Sequence, residues 1–311
     1  METYLKIMNF PAVMKIVFFG ERIIDRKLFK KSLEGHEVIF ISEPISEEST
    51  EKTKDADIVS IDTDSNMDKK IISKLPELKL VVTRSTGFDH IDVEECRRRK
   101  ILISNDPSYG TGAVAEFTFS LIFNLLKKIG MEEKLEGKTI GVIGAGRIGK
   151  KVIEIAREFK MNLLAYDVVQ DKSAEKDIGV EYVDLDKLFK KADIISLHAM
   201  LTKENYHLIN SESFSKMKKN AVVINTARGS LIDTRDLIDA LKEKKIAGAG
   251  LDVLEEEGDE NDEKVKELKK MKNVILTEHI ASVTGESTKK RILNTVENIR
   301  SYLDGKTINL V

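Results

Sequence analysis

Up to about residue 104 the chain alternates short apolar runs with longer amphipathic or polar stretches. The runs at 16–19, 38–41, 58–61, 80–83 and 101–104 each suit one strand, and the intervals between them are long enough for crossover helices. Strands spaced in this way pair parallel, and a strand apolar at nearly every position is covered on both faces. Between Asn105 and Pro107 the rhythm changes. Residues 111–128 read as one long helix, apolar on more than one face through Ala113, Val114, Phe117, Phe119, Leu121, Ile122 and Leu125. A helix apolar that far round is expected to be buried, here between domains or subunits. After a polar break at 130–137 a second alternating set begins, with strands at Ile140, Leu163, Ile194, Val222, Ala249 and Val274. It stops near His279, and an amphipathic helix over 286–303 follows.

Within the second set, Gly144, Gly146 and Gly149 stand in G-x-G-x-x-G spacing between a buried strand and a helix. The first glycine permits a tight turn, the second lets a pyrophosphate approach the backbone, and the third lets helix and strand pack closely. The helix N-terminus adds unpaired N–H groups and a partial positive charge. Asp167 ends the next apolar strand, about 20 residues on, where a ribose would be bound. Val168, Val169 and Gln170 follow it with no arginine or lysine to receive a 2′-phosphate, so NAD is favoured over NADP.

The fold class is therefore α/β, with two doubly wound parallel-sheet domains. Residues 1–104 form the first segment of a flavodoxin-like substrate domain. Residues 105–281 form a Rossmann cofactor domain, and 282–311 form a helix that returns to the substrate domain.

Composition narrows the partners. The 311 residues carry a net charge of −2, which gives no electrostatic reason to expect nucleic acid or an anionic membrane. No apolar run approaches a membrane span. The first 13 residues lack a signal peptide's pattern, and those before Met14 read as an extension outside the fold. The single cysteine, Cys96, excludes an internal disulfide, suits a reducing compartment and reads as a small apolar helix residue. Cytoplasm is the expected location.

Ligands of parallel sheets bind at the strands' carboxyl ends. Asn225-Thr226-Ala227-Arg228-Gly229 follows one predicted strand of the second set, and Asp252-Val253-Leu254-Glu255-Glu256-Glu257 the next. Thr277-Glu278-His279 follows the last, and in the first set Arg84-Ser85-Thr86-Gly87 follows the strand at 80–83. An arginine, a choice of carboxylates and a histidine suit hydride transfer to a 2-oxo acid. The arginine's fork holds and polarises the substrate. The histidine protonates the forming alkoxide, and a carboxylate orients the imidazole. No metal is called for.

The block from Gly141 to Gly149, together with Asn-Thr-Ala-Arg-Gly-Ser-Leu-Ile-Asp233, Gly-Leu-Asp-Val-Leu-Glu-Glu-Glu257 and Leu-Thr-Glu-His-Ile-Ala281, resembles the D-isomer-specific 2-hydroxyacid dehydrogenases. The four blocks stand in family order and the likeness runs from about Met14 onward. The stretch from Leu78 to Asp92 is most similar to the D-lactate dehydrogenase branch, and Tyr109 in Asp106-Pro-Ser-Tyr109 looks like that branch's active-site tyrosine.

The resemblance implies roles residue by residue. Arg228 binds and polarises the substrate, and His279 is the acid in reduction and the base in oxidation. Glu257 pairs with His279 by family spacing, although Glu255 and Glu256 are chemically equal candidates. Asp252 sits by the nicotinamide. Backbone N–H groups of Thr86 and Gly87 receive the substrate carboxylate. Arg147 and Ile148 contact the pyrophosphate, while Thr226 and Ala227 lie along the nicotinamide. His36, His90, His198 and His207 read as structural.

The implied protein is a homodimeric NAD-dependent enzyme, with pyruvate and D-lactate as its first substrate pair and a cleft between its domains. Glyoxylate, hydroxypyruvate or phosphohydroxypyruvate reduction is the alternative within the family. A dinucleotide-sensing interaction protein of the same fold is the alternative outside enzymology. The chain departs from the family's pattern at Phe117, within His198-Ala-Met-Leu-Thr202 and at Gly258, where prolines are usual in the last two, and in a short connection between Lys128 and Gly137.

Overall fold

The computed structural model describes residues 13–20, 23–131, 134–255, 259 and 261–311. It divides into two compact units, Met1–Tyr109 with Thr284–Val311, and Gly110–Val283.

The first unit is a five-stranded parallel sheet in the order β2-β1-β3-β4-β5. Its strands are β1 (Lys15–Phe19), β2 (Glu37–Ile41), β3 (Ile58–Ile61), β4 (Leu80–Thr83) and β5 (Leu102–Ser104). Alternation along β1 sends Ile16 and Phe18 to one face, and Val17 and Phe19 to the other. The second of these faces is covered by residues of α3 (Lys69–Ser73) and α4 (Val93–Arg98), among them Ile71, Ile72 and Cys96. Burial pushes the Cys96 thiol up to about 12, with Asp92 adding to the effect, so it is an inert apolar residue and no nucleophile.

The other face carries Phe29 and Leu33, at the end of α1 (Ile23–Ser32), and Ile292, Val296, Ile299 and Tyr302 of α12 (Gly285–Leu303). Each of these aliphatic side chains contributes roughly 1.5–3 kcal/mol when fully buried, so this late helix is integral to a sheet begun at residue 15. Residues after α12 extend the sheet. Ser104 pairs antiparallel with Leu310, and the Val311 N–H donates to the Ile103 carbonyl at 3.1 Å. The segment 105–109 belongs to this unit, a few residues beyond the predicted break. The Asn105 N–H donates to Asn309, the Asp106 N–H to Ser85, and Asn294 of α12 holds the Asp106 carboxylate.

The second unit is a seven-stranded parallel sheet in the order β12-β11-β10-β9-β6-β7-β8. The strands are β6 (Thr139–Ile143), β7 (Asn162–Tyr166), β8 (Glu181–Tyr182), β9 (Ile194–Leu197), β10 (Val222–Asn225), β11 (Gly248–Leu251) and β12 (Val274–Leu276). Six correspond to the predicted set. The seventh, β8, is a two-residue edge strand beside Leu164 and Ala165, too short and too exposed to leave an apolar signature.

One face is covered by α8 (Leu185–Lys191), α9 (Ser211–Lys216), α10 (Thr234–Lys242) and α11 (Glu263–Lys270). The other is covered by α5 (Thr111–Lys128) and α6 (Arg147–Glu158). The all-round apolar helix α5 thus buries Leu121, Ile122 and Leu125 within its own unit. It lies close because β11 offers glycines: a side-chain carbon at Gly248 would come within 3.2 Å of Leu125. Among the described residues no helix is long and apolar enough to cross a membrane.

Candidate active site

In the second sheet the strand order reverses between β6 and β9, and the glycine turn follows β6. A crevice at such a reversal is where open α/β sheets bind ligands. Gly144 adopts φ +94°, and a side-chain carbon there would sit 2.4 Å from the Ala199 nitrogen, after β9. At Gly149 it would sit 1.9 Å from the Gly144 carbonyl oxygen, so α6 approaches the turn only because residue 149 is glycine. A side-chain carbon at Gly146 would meet no atom within 4 Å and would fill the open mouth of the turn.

Asp167, at the end of β7, accepts from the Ala145 N–H at 2.6 Å through Oδ2 and from the Val169 N–H at 3.0 Å through Oδ1. It lines an open groove of roughly 650 Å3 with Ala145, Gly146, Lys150, Asp171 and Lys172. Lys172 follows Asp167 by five residues, whereas Lys150 is brought to it only by the fold. The helical turn after Gly149 and the loop after β7 bring them there. Arg147 and Ile148 begin α6, with Gly146 as its N-cap.

Three adjacent strands, β10, β11 and β12, carry the remaining candidates in consecutive loops. After β10, Asn225 organises its own loop: its amide donates to the Arg228 carbonyl at 2.8 Å and its Oδ1 accepts from the Ala227 N–H at 3.0 Å. Thr226 pairs with Thr118 of α5, hydroxyl to hydroxyl at 3.2 Å. Arg228 Nη1 donates to the Ala227 carbonyl. Gly229, which the sequence did not mark out as a site residue, abuts the loop after β11. A side-chain carbon there would lie 1.9 Å from the Leu254 carbonyl carbon. Gly229→Ala is expected to cost about 1–3 kcal/mol through overpacking. It should also lower kcat by displacing Arg228, as thermal unfolding and steady-state rates would record.

After β11, Asp252 is 0% exposed. Its Oδ1 accepts from the Thr277 hydroxyl at 2.6 Å and the Ile280 N–H at 2.9 Å, and its Oδ2 from the Ala281 N–H at 2.9 Å. Its own carbonyl accepts from the His279 N–H. Asp252 is therefore the post around which the segment after β12 turns, and its carboxylate is committed to that segment. His279 sits in the turn at φ +51°, a left-handed conformation that costs a residue with a side chain roughly 1–3 kcal/mol and persists where the surroundings impose it. A cavity of about 620 Å3 runs from Asp252 and His279 along β12 to Val265 and Leu268 of α11.

Glu255 Oε1 accepts from the Tyr206 hydroxyl and lies against His207 Nε2, both at 2.7 Å. His207 Nδ1 faces Asp233 at 3.2 Å. Burial raises the Glu255 carboxyl, but the bonds from Tyr206 and His207 outweigh it and the net shift is downward. Glu255 is thus engaged by Tyr206 and His207. Glu256, Glu257 and Gly258 lie outside the described residues. The other histidines have structural partners: His36 accepts from the Met14 N–H, His90 meets the Thr83 hydroxyl, and His198 meets the Ser196 hydroxyl.

In the first unit, the turn after β4 is braced from its side chains. The Thr86 hydroxyl donates to the Asp106 carbonyl at 2.8 Å, Asn105 donates to the Thr86 carbonyl at 2.7 Å, and the Ser85 hydroxyl donates to the Gly87 carbonyl at 2.6 Å. Among the described residues, no acceptor takes the N–H of Thr86 or Gly87. Successive N–H groups presented in this way form an anion-binding concavity. Tyr109 donates its N–H to Asp106 Oδ1, and its ring lies 5.9 Å from the guanidinium of Arg291, which is paired with Asp62 at 3.0 Å. Among the described residues, no group of three or more metal-ligating side chains occurs.

Comparisons with known proteins identify the chain's relatives. The family model of the D-isomer specific 2-hydroxyacid dehydrogenase NAD binding domain matches residues 124–281. The chain is 39% identical over 280 residues to a glyoxylate reductase of Thermococcus litoralis, covering 82% of this chain and 83% of that protein. It is 38% identical over 279 residues to a D-3-phosphoglycerate dehydrogenase of Methanocaldococcus jannaschii, covering 84% of this chain and 52% of that protein. Among solved structures, D-lactate dehydrogenase from Aquifex aeolicus, complexed with NAD and lactic acid, superimposes with a TM-score of 0.87 at 34% identity. That match covers 94% of this chain and 96% of the other.

Proposed function

The chain belongs to the D-isomer-specific 2-hydroxyacid dehydrogenases, an NAD-binding family of oxidoreductases, and we propose that it reduces a small 2-oxo acid to the D-hydroxy acid. Pyruvate is the first substrate and glyoxylate the competing one. The observation that carries this reading is the run of three neighbouring strand-end loops holding Arg228, the acidic segment and His279, with His279's turn tied to Asp252.

The residues around the glycine turn fit NAD. The mouth that a Gly146 side chain would fill suits a pyrophosphate, with Arg147 and Ile148 at the helix N-terminus beside it, and Asp167 suits a ribose. When bound, the nicotinamide supplies a hydride to the substrate's carbonyl carbon. Thr226 and Ala227 would lie along it.

The chain's own groups do the rest. Arg228 holds the substrate and polarises its carbonyl oxygen, drawing electron density away from the carbon under attack. His279 delivers a proton to that oxygen in reduction and removes it in oxidation. Glu257 orients the imidazole by the family's spacing, and the engagement of Glu255 with Tyr206 and His207 supports giving that role to a later glutamate of the run. Asp252 acts from behind, fixing the turn that presents His279. The N–H groups of Thr86 and Gly87 receive the substrate carboxylate, and Tyr109 borders the substrate.

Support for pyruvate comes from the Aquifex aeolicus likeness across almost the whole chain, and support for glyoxylate from the Thermococcus litoralis relative. A phosphorylated substrate is disfavoured, since Arg291 and Arg84 in the first unit already face Asp62. The homodimer that the resemblance implies and the expected cytoplasmic location are retained in this reading.

An NADH-oxidation screen over pyruvate, glyoxylate, hydroxypyruvate and phosphohydroxypyruvate, with chiral analysis of the product, tests it. Pyruvate is expected to give the highest kcat/KM and a D product. An L product, or no turnover on any of the four, would sink the reading. Arg228→Ala should raise KM and lower kcat, by about 10²-fold or more in kcat/KM.

A further inference from the structure

No cation directly follows Asp167 in the sequence, but the folded groove does contain cations. Lys150, on the first turn of α6, and Lys172 both line it. Lys150 is well placed to meet a phosphate: it springs from a rigid helix beside the glycine turn and reaches toward the end of β7. It is already engaged. Its Nζ lies 2.5 Å from Asp171 Oδ2. Asp171 is itself held in place, because it is the N-cap of α7 (Lys172–Ile178) and its Oδ1 accepts from the Ser173 N–H at 2.9 Å and the Ser173 hydroxyl at 2.6 Å. One carboxylate oxygen is thus used to start a helix and the other faces the lysine.

We propose that Asp171, by holding Lys150, is a specificity-determining residue that makes this groove select a dinucleotide with a free ribose 2′-hydroxyl over its 2′-phosphorylated counterpart. The inference rests on the reading that the groove takes the adenosine ribose. A 2′-phosphate entering it would bring about −1.5 to −2 charges against Asp167. It would find the Lys150 ammonium already engaged by Asp171, whose carboxyl the Lys150 bond and then Ser173 hold well below the usual carboxylate range. Asp167 rewards the hydroxyl, and Asp171 withholds from the phosphate the one of the two groove lysines that is anchored on the helix of the glycine turn. The ion pair adds little to stability, since both partners are about one-third exposed, with side-chain exposures of 36% and 35%. Its effect is on what Lys150 is able to bind.

Fluorescence titration of NADH and NADPH into the full-length protein, without turnover, tests this. Asparagine caps helices as well as aspartate does, so Asp171→Asn preserves α7. Asp171→Asn is expected to tighten NADPH binding about tenfold, one charge-assisted contact regained, and to leave NADH within about twofold. Adding Lys150→Met should abolish the gain. Asp167→Ala should weaken NADH binding about tenfold. If Asp167→Ala weakens NADH but Asp171→Asn leaves NADPH unchanged, or if the gain survives Lys150→Met, the proposal is overturned while the groove reading stands. If NADH binding is indifferent to Asp167→Ala, the groove is not the ribose site and both fall.

Discussion

Replacing His279 with alanine is expected to lower kcat about 10²- to 10⁴-fold, the usual worth of a positioned general acid–base group. The dissociation constant for NADH should stay within a few-fold of the parent's. The backbone offers a control. His279 occupies the left-handed region at φ +51°, which asparagine tolerates better than most residues. His279→Asn keeps the turn and removes the proton carrier, so it should be as inactive as the alanine variant. Retention of the parent's kcat in either variant would remove His279 from the mechanism.

Asp252 carries the second large effect. Its two oxygens face three donors, the Thr277 hydroxyl and the Ile280 and Ala281 N–H groups. In Asp252→Asn the new amide can face either oxygen's partners, and in both orientations an NH2 group meets at least one backbone N–H. A buried donor left without an acceptor costs about 1–3 kcal/mol. A unit of this size should then lose roughly 2–4 °C in Tm per kcal/mol. The activity loss should exceed what unfolding explains. Measured at low temperature, with the variant fully folded, kcat should still fall because the turn bearing His279 has lost its post. An unchanged Tm with unchanged kcat would show that the three bonds do not govern the site.

The parts of the molecule legible beforehand were those written in local pattern. Buried parallel strands appear as apolar runs, and the glycine turn appears as a spacing because each glycine answers a steric demand within a few residues. The β8 strand left no trace, being a two-residue edge strand with little to bury. The engagement of Glu255 was also hidden. Glu255, Glu256 and Glu257 are equivalent until the fold brings Tyr206 and His207 to Glu255 from nearly fifty positions away. Asp252 was legible as a strand-end carboxylate, but its service to the His279 turn depends on a register between β11 and β12 that no short motif encodes. Lys150 was passed over because its relation to Asp171 runs from one helix start to another.

The return of α12 to the first sheet has a consequence for biosynthesis. The ribosome completes β1 to β5 before residue 105, yet Ile292, Val296, Ile299 and Tyr302 fill one face of that sheet and Leu310 borders its last strand. Domains usually fold in the order in which they emerge, N-terminal first. Here the earliest segment must wait with that apolar face only partly covered, by Phe29 and Leu33, while the whole of the second unit is translated. The inserted unit is therefore the one able to mature first, and the nascent N-terminal sheet is where a chaperone would find its longest-lived client surface.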